Sequence, residues 1–187
     1  MGACPEAPRR LVILDRDGVI NRDSRDFVKS ADEWIPLPGS IRAIADLSAA
    51  GFTVTIASNQ SGLARGLLDR AALRAMHRKL RRLVSRHGGR VARIVVCPHG
   101  PDEGCDCRKP GPGLLLRLGR YYRCRLDGVP VVGDSLRDLQ AAARVGARPI
   151  LVRTGNGRTT EAGLQGELAG VEVFDDLAAA SAALLKE

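Results

Sequence analysis

The sequence predicts an α/β protein with a doubly wound, mostly parallel sheet and helices on both of its faces. Short runs of apolar and β-branched residues recur along the chain, and a segment with helical start and stop signals lies beside each run. Runs that are apolar at every position are typical of strands buried on both faces of a parallel sheet. Alternation of such strands with helices is typical of doubly wound folds.

Five runs are predicted to be strands. The first is wholly apolar and ends directly before Asp15. Because ligands bind beyond the carboxyl ends of the strands in open α/β sheets, the residues that follow each run are the candidates for a functional site. The predicted strands are 11–14, 52–57, 91–96, 129–132 and 149–152.

Four helices are predicted from the residues at their ends. Ser and Asp are favourable N-caps, Pro is tolerated in the first turn, and Gly commonly follows the last turn. Asp69, for example, begins a long arginine-rich segment that stops at Gly88. The predicted helices run from 40 to 50, from 69 to 88, onward from about 112, and from 135 to 145.

Length and composition restrict the class of protein. A chain of 187 residues can bury one substantial core, and without repeats or linkers it is predicted to be a single domain, 1–187, with a flexible leader at 1–10. No apolar run approaches the roughly 20 residues that span a bilayer, and the leader lacks the apolar stretch of a secretory signal. A cytoplasmic monomer is expected.

The formal net charge of +8 is compatible with a nucleic-acid partner. However, the basic residues are twenty-five arginines and only four lysines, spread along helices beside Asp and Glu. They lack the interleaved aromatic side chains that stack on bases. Since a small anionic substrate accounts for a positive field equally well, neither a nucleic acid nor a membrane is expected as a partner.

Two carboxylates, Asp15 and Asp17, follow the first strand. One can attack phosphorus while the other donates a proton to the leaving oxygen and later takes one from water. An Asp that only caps a turn is the alternative interpretation. The residues after other strands favour chemistry: hydroxyl and amide donors stand at 58–62, and Asp134 can join Asp15 in an oxygen-rich magnesium site, with Asp138 nearby to hold neighbouring groups.

Lys109 is a candidate for the cation that such chemistry requires. It would screen the nucleophile from an anionic phosphate and offset charge in the transition state. A lysine without a role is the alternative, but lysine is rare in this chain and Lys109 stands just before the helix that begins near Pro112.

Three cysteines and one histidine form a C-x-H-x5-C-x-C pattern at 97–107. Three thiolates and one imidazole match a closed tetrahedral Zn²⁺ site, which is structural because no position stays open for water. A disulfide or inert thiols are the alternatives, and the missing export signal and the added histidine favour zinc. The predicted zinc-binding loop, 97–109, would order Arg108 and Lys109. Its ligands are Cys97, His99, Cys105 and Cys107.

Over roughly residues 11–152, these motifs resemble the four motifs of the haloacid dehalogenase superfamily of phosphohydrolases. The resemblance implies a Rossmann-like fold in which Asp15 is the nucleophile, Asp17 the general acid and base, and Ser58 and Lys109 stabilise the phosphoryl group. Ser58 replaces the usual threonine and keeps its hydroxyl. A catalytic Mg²⁺ is implied on Asp15, Asp17 and Asp134, with Asp17 also offering its backbone carbonyl. The segment 21–38 is too short for a large cap domain.

The zinc pattern and the segments 15–21 and 58–66 are similar to the histidinol-phosphatase-like subgroup. The implied reaction removes the 7-phosphate of D-glycero-D-manno-heptose 1,7-bisphosphate and leaves heptose 1-phosphate, toward the activated heptose of lipopolysaccharide. Histidinol phosphate, in histidine biosynthesis, is the alternative substrate. A non-catalytic zinc module that binds nucleic acid is a third hypothesis, but carboxylates at the strand ends would repel its ligand.

Specificity is then expected from loops. Arg108 is the predicted specificity residue, because its guanidinium can hold a second phosphate bidentately. Histidinol phosphate, with an amine in place of that phosphate, would not require it. The residues implied to contact substrate are Asp23, Ser24, Arg25, Asp26, Asn59, Gln60, Ser61, Arg108 and Ser135.

Overall fold

A computed structural model describes residues 10–24 and 26–187, so most of the predicted leader lies outside the described residues. Six strands form one parallel sheet in the order 3-2-1-4-5-6, which confirms the predicted fold class. The central first strand pairs with the second and fourth, and Leu14 lies opposite Ile56 and Val132. The strands are β1 (Leu11–Leu14), β2 (Thr53–Asn59), β3 (Arg93–Cys97), β4 (Pro130–Gly133), β5 (Arg148–Val152) and β6 (Glu172–Phe174).

Six α-helices connect or follow the strands. The predicted Asp69 cap forms, since its carboxylate accepts a hydrogen bond from the Ala72 amide. Ser135 and Asp138 make a reciprocal capping box at the start of the fourth helix. The helices are α1 (Ser40–Ala49), α2 (Arg70–Arg86), α3 (Gly113–Tyr122), α4 (Leu136–Ala143), α5 (Gly157–Ala162) and α6 (Leu177–Leu184).

Helices cover both faces of the sheet. The larger core cluster packs α1, α2 and α6 against one face, and it includes the fully buried Trp34. A second cluster packs α3 and α4 against the other face. Between β1 and α1 the described residues form only turns and isolated bridges, so no cap domain is inserted there. Within the described residues, no helix has the length and apolar character needed to cross a membrane.

Candidate active site

The carboxyl ends of β1, β2 and β4 border a cavity of about 330 Å³. From β1 the chain proceeds outward to β2 and β3 on one side of the sheet, and from β4 it proceeds outward to β5 and β6 on the other side. The cavity therefore lies at the point where the strand order reverses, the usual ligand site of doubly wound sheets. Its walls combine carboxylates with five basic residues. The basic residues that line it are Arg16, Arg65, Arg108, Lys109 and Arg137.

Asp15 and Lys109 form a buried ion pair in this cavity. The Lys109 Nζ atom donates to Asp15 Oδ1 over 2.8 Å and to the Ala57 carbonyl over 2.7 Å, and it also contacts Asp138 Oδ1. Burial would lower the pKa of Lys109, but the carboxylates of Asp138 and Asp15 raise it well above its ordinary value. Lys109 therefore keeps its charge beside Asp15.

The carboxyl group of Asp15 lies in an environment that favours its neutral form. Burial raises the pKa of Asp15 to about 8, against the attraction of Lys109, and the carboxylates of Asp138 and Asp134 add repulsion. A bound cation would relieve both effects. Since a carboxyl group must be charged to attack phosphorus, this site requires a further positive charge to work near neutral pH.

Asp134 lies next to Asp15, and the loop after β5 holds its carboxylate in place. Its Oδ2 atom accepts hydrogen bonds from the Asn156 amide at 2.8 Å and from Asn156 Nδ2 at 3.1 Å. Burial, followed by repulsion from Asp138, raises the pKa of Asp134 to about 6. Gly18 and Gly155 both approach its carboxylate so closely that a Cβ on either would overlap with Oδ2.

Carboxylate oxygens of Asp15, Asp134 and Asp138 lie within 4.8 Å of one another, a spacing that fits a divalent cation. Asp138 contributes little free capacity, because its Oδ1 contacts Lys109 and its Oδ2 accepts from the Ser135 amide and hydroxyl. The predicted magnesium ligands were Asp15, Asp17 and Asp134. Asp15 and Asp134 come together, while the Asp17 side chain is held elsewhere.

The Asp17 carboxylate is held by the side chain of its neighbour, Arg16. The Arg16 guanidinium, itself only 1% exposed, donates to both Asp17 oxygens, and Asn21 Nδ2 and Gln60 Nε2 donate at 2.8 and 2.9 Å. Burial opposes charge on Asp17, but Arg16 and these hydrogen bonds lower its pKa. In this conformation Asp17 is a charged acceptor, suited to take a proton.

The end of β2 and the residue after it connect Asp17 to Lys109. Ser58 is buried behind the cavity wall, where its Oγ accepts from Gln60 Nε2 at 2.8 Å. Asn59 makes two bonds of 3.1 Å with the backbone of Lys109, one to its carbonyl and one from its amide. These contacts fix Asp17, which follows β1, and Lys109, on the loop after β3, relative to each other.

The four predicted zinc ligands converge. Their ligand atoms lie within 4.8 Å of one another, and four of the pairs are 3.3 to 3.6 Å apart. Tetrahedral Zn²⁺ with Zn–S bonds of about 2.3 Å would place its sulfur ligands about 3.8 Å apart. Burial would raise the pKa of Cys105, but the Arg108 amide and neighbouring thiols lower it to about 7, whereas burial raises the pKa of Cys97 and Cys107. A bound cation would stabilise the thiolates of the latter two. The donor set fits zinc.

Most predicted substrate contacts line the cavity, but not all do. Asp26 is exposed and lies outside the cavity wall, and Arg25 lies outside the described residues. The Asp26 amide donates a hydrogen bond to Ser24 Oγ at 3.2 Å. The predicted contacts found in the wall are Asp23, Ser24, Asn59, Gln60, Ser61, Arg108 and Ser135.

The structure also adds residues that the sequence analysis missed. Asn156 follows β5, so inspection of that strand end would have found it. Phe27 has a left-handed backbone at φ 65° and lies under the Arg65 guanidinium, 5.6 Å from its ring centre. Nothing in the sequence marks Phe27, because its backbone conformation and stacking arise only in the folded loop.

Comparisons with known proteins agree with this geometry. The HAD-hydrolase-like family model matches residues 106–180. D-glycero-beta-D-manno-heptose-1,7-bisphosphate 7-phosphatase of Pseudomonas aeruginosa is 57% identical over 178 residues, which cover 95% of this chain and 99% of that protein. The enzyme of the same name from Bordetella bronchiseptica is 59% identical over 179 residues, with the same coverage.

A solved structure extends the likeness to the fold. The crystal structure of D,D-heptose 1,7-bisphosphate phosphatase from B. bronchiseptica, complexed with magnesium and phosphate, is 58% identical and covers 95% of this chain and 98% of its own, with a TM-score of 0.91. Identity of this extent over nearly the whole chain confirms the resemblance drawn from the motifs. The chain belongs to the D-glycero-D-manno-heptose 1,7-bisphosphate 7-phosphatase family of the haloacid dehalogenase superfamily.

Proposed function

We propose that this protein is a Mg²⁺-dependent cytoplasmic phosphatase that removes the 7-phosphate of D-glycero-β-D-manno-heptose 1,7-bisphosphate. The products are heptose 1-phosphate and inorganic phosphate, and the reaction precedes nucleotide activation of the heptose for lipopolysaccharide. The observation that carries the proposal is the buried Asp15–Lys109 pair in a cavity that also contains Arg108. The names of the relatives support the substrate and its β anomer.

Mg²⁺ would be held by Asp15 and Asp134, together with the backbone carbonyl of Asp17. When bound it supplies positive charge that keeps Asp15 ionised and screens the phosphate oxygens. The relative from B. bronchiseptica was crystallised with magnesium and phosphate, which supports this assignment.

In the first step Asp15 attacks phosphorus, so that the P–O bond to the sugar breaks as the bond to the Asp15 carboxylate forms. Lys109 offsets negative charge on the oxygens of the transferring phosphoryl group. The hydroxyl of Ser58, which is buried next to the cavity, is proposed to stabilise the same phosphoryl oxygens. Water then attacks phosphorus, releases phosphate and restores the Asp15 carboxylate.

Asp17 is proposed to donate a proton to the leaving sugar oxygen and to take one from the attacking water. Its lowered pKa suits the second step but opposes the first. An incoming phosphate is negatively charged, and like-charge repulsion raises the pKa of a nearby carboxyl group. We therefore infer that Asp17 acquires its proton when substrate binds.

Arg108 is proposed to bind the phosphate that does not react. Its Nη1 donates to the carbonyl of His99 at 3.2 Å, which fixes the guanidinium next to the cavity. Because this phosphate is a second dianion, binding it favours a bisphosphate over histidinol phosphate.

Phosphate release from heptose 1,7-bisphosphate and from histidinol phosphate, measured side by side with Mg²⁺, tests the proposal. A kcat/KM at least about a hundredfold higher for the bisphosphate, or about 2.7 kcal/mol of discrimination, is expected. The reverse preference would assign the enzyme to histidinol phosphate and contradict the role of Arg108.

Replacement of Gly18 tests the cation site. Gly18→Ala would push a methyl group against the Asp134 carboxylate and is expected to weaken Mg²⁺ activation at least tenfold. Gly51→Ala is the matched control, because Gly51 has a similar left-handed backbone, φ 86° against 81°, but nothing within 4 Å of the added carbon.

Both variants should lose roughly 1 kcal/mol of unfolding free energy from backbone strain. Magnesium titrations of activity and thermal denaturation separate the two effects. Equal Mg²⁺ dependence of Gly18→Ala and wild type would remove Asp134 from the proposed ligands.

Cys105→Ser tests the zinc site. Loss of one thiolate should reduce bound zinc well below one ion per chain, lower the Tm by about 5 °C or more, and raise KM through disorder of Arg108. Cys124→Ser is the control, since Cys124 is partly buried outside the cluster. Metal analysis, calorimetry and kinetics check this, and a zinc-free Cys105→Ser with unchanged Tm and KM would contradict a structural zinc.

A further inference from the structure

A second cavity, of about 290 Å³, adjoins the cavity that contains Asp15. This side cavity lies between the zinc-binding loop and the first turn of α4. Pro101, Arg108, Lys109 and Arg137 line both cavities, so they form the boundary between the two. A ligand that reaches Lys109 from one side therefore has the side cavity as its neighbour.

The two cavities differ in charge. Among the described residues, five aspartates line the main cavity, whereas no carboxylate lines the side cavity and three cations do. Lys109 is engaged with Asp15 and Asp138. Within the described part of the chain, Arg108 and Arg137 make no ion pair. Two guanidinium groups without carboxylate partners thus border a recess free of negative charge.

Both walls of the side cavity are held in place. On the loop side, Arg108 donates to the carbonyl of His99, a proposed zinc ligand. On the helix side, the Ser135–Asp138 capping box fixes the turn that contains Arg137. Arg144, which follows α4, donates from Nη1 to the Pro110 carbonyl at 2.6 Å and so ties the helix to the loop. Because the frame is ordered before a ligand arrives, binding costs less conformational entropy.

We propose that Arg137 is a specificity-determining residue, which together with Arg108 binds the non-reacting phosphate of the substrate in the side cavity. The inference rests on the proposed function, since only a bisphosphate brings a second dianion. One phosphoryl group occupies the site at Asp15, where carboxylates would repel another. Two guanidinium forks match the oxygens of a phosphate and discriminate against an uncharged or cationic group.

Arg137→Ala tests the inference with two substrates. For heptose 1,7-bisphosphate, kcat/KM is expected to fall about 10- to 100-fold, mainly through KM, as for loss of charged hydrogen bonds. For p-nitrophenyl phosphate, which lacks a second phosphate, kcat/KM should stay within about twofold. Arg137→Lys should lose less than Arg137→Ala with the bisphosphate. Arg117→Ala, an exposed α3 arginine that lines neither cavity, removes the same charge and should change neither substrate.

The outcomes separate this inference from the proposed function. If wild type prefers the bisphosphate and Arg137→Ala keeps that preference, the inference is wrong and the proposed function stands. Equal losses with both substrates would show a structural role for Arg137 and also overturn the inference. A wild type that does not prefer the bisphosphate would contradict the proposed function, and the inference with it.

Discussion

Asp15→Asn is expected to lower kcat by about 10⁴-fold or more while leaving the fold intact. The amide has the shape of the carboxylate but cannot form the phosphoryl-enzyme intermediate, so the covalent route is closed. The Asp15 side chain is 13% exposed and directly contacts Lys109, and because asparagine has the same size the substitution leaves no gap in the packing. The loss of kcat would therefore report the missing nucleophile and not a change in folding.

The same substitution is also expected to change how the free energy of unfolding depends on pH. Folding raises the pKa of Asp15 to about 8, so the stability that Asp15 contributes to the metal-free wild type is greatest below about pH 4 and is lost as pH rises from about 4 through 8. Asparagine does not titrate. Without Mg²⁺, the stability of Asp15→Asn relative to wild type should therefore increase with pH across that range.

Two measurements check both effects. Quenched reactions of wild type, analysed by mass spectrometry, should show one phosphoryl group on Asp15, and Asp15→Asn should show none. Denaturation in chelator at pH 5 and pH 8 gives the stability difference. Full turnover by Asp15→Asn would refute the covalent mechanism, and a stability difference that shrinks with rising pH would contradict the assigned environment of Asp15.

The sequence predicted the centre of the fold better than its edge. β1 is apolar at every position because it is central and covered on both faces, so its pattern is plain. β6 lies at the edge, has three residues and includes the exposed Glu172, so it leaves no apolar run to detect. α6 is mostly alanine and its apolar residues do not follow one stripe, which hides its helical period.

Some features of the candidate site could likewise be predicted from the sequence, and others could not. Asp15 and Asp134 were predictable because motifs place them at strand ends, and Lys109 because it stands just before a predicted helix in a chain with few lysines. The zinc ligands were predictable because their spacing is specific. The Arg16 fork on Asp17 and the Asn156 contacts with Asp134 were not, since they depend on side-chain directions and on contacts between segments distant in sequence. Roles of individual residues, including Ser58, stay predictions that kinetics must test.

Lys109→Met is expected to impair both catalysis and folding. Removing the ammonium group leaves transition-state charge on the phosphoryl oxygens without its fixed partner, which should lower kcat by about 10³-fold. It also leaves the Asp15 and Asp138 carboxylates buried without a counter-ion, which should lower the free energy of unfolding by roughly 3–5 kcal/mol. Lys109 lowers the pKa of Asp15 while burial raises it, so loss of Lys109 raises that pKa further. Because Asp15 is then neutral at pH 5 but must be buried with more of its charge at pH 8, the variant should be less destabilised at pH 5 than at pH 8.

Lys79→Met separates these effects from the general consequence of losing a partly buried lysine that donates to backbone carbonyls. Lys79 donates to the carbonyls of Ala31 and Trp34, makes no ion pair with a carboxylate of the described residues and lines neither cavity. Its loss should lower the free energy of unfolding by about 1–3 kcal/mol without pH dependence and leave kcat within about twofold. If Lys109→Met kept kcat within tenfold of wild type, Lys109 would be only a structural counter-ion. If Lys79→Met lost kcat to the same degree, weakened folding rather than lost phosphoryl stabilisation would explain both variants.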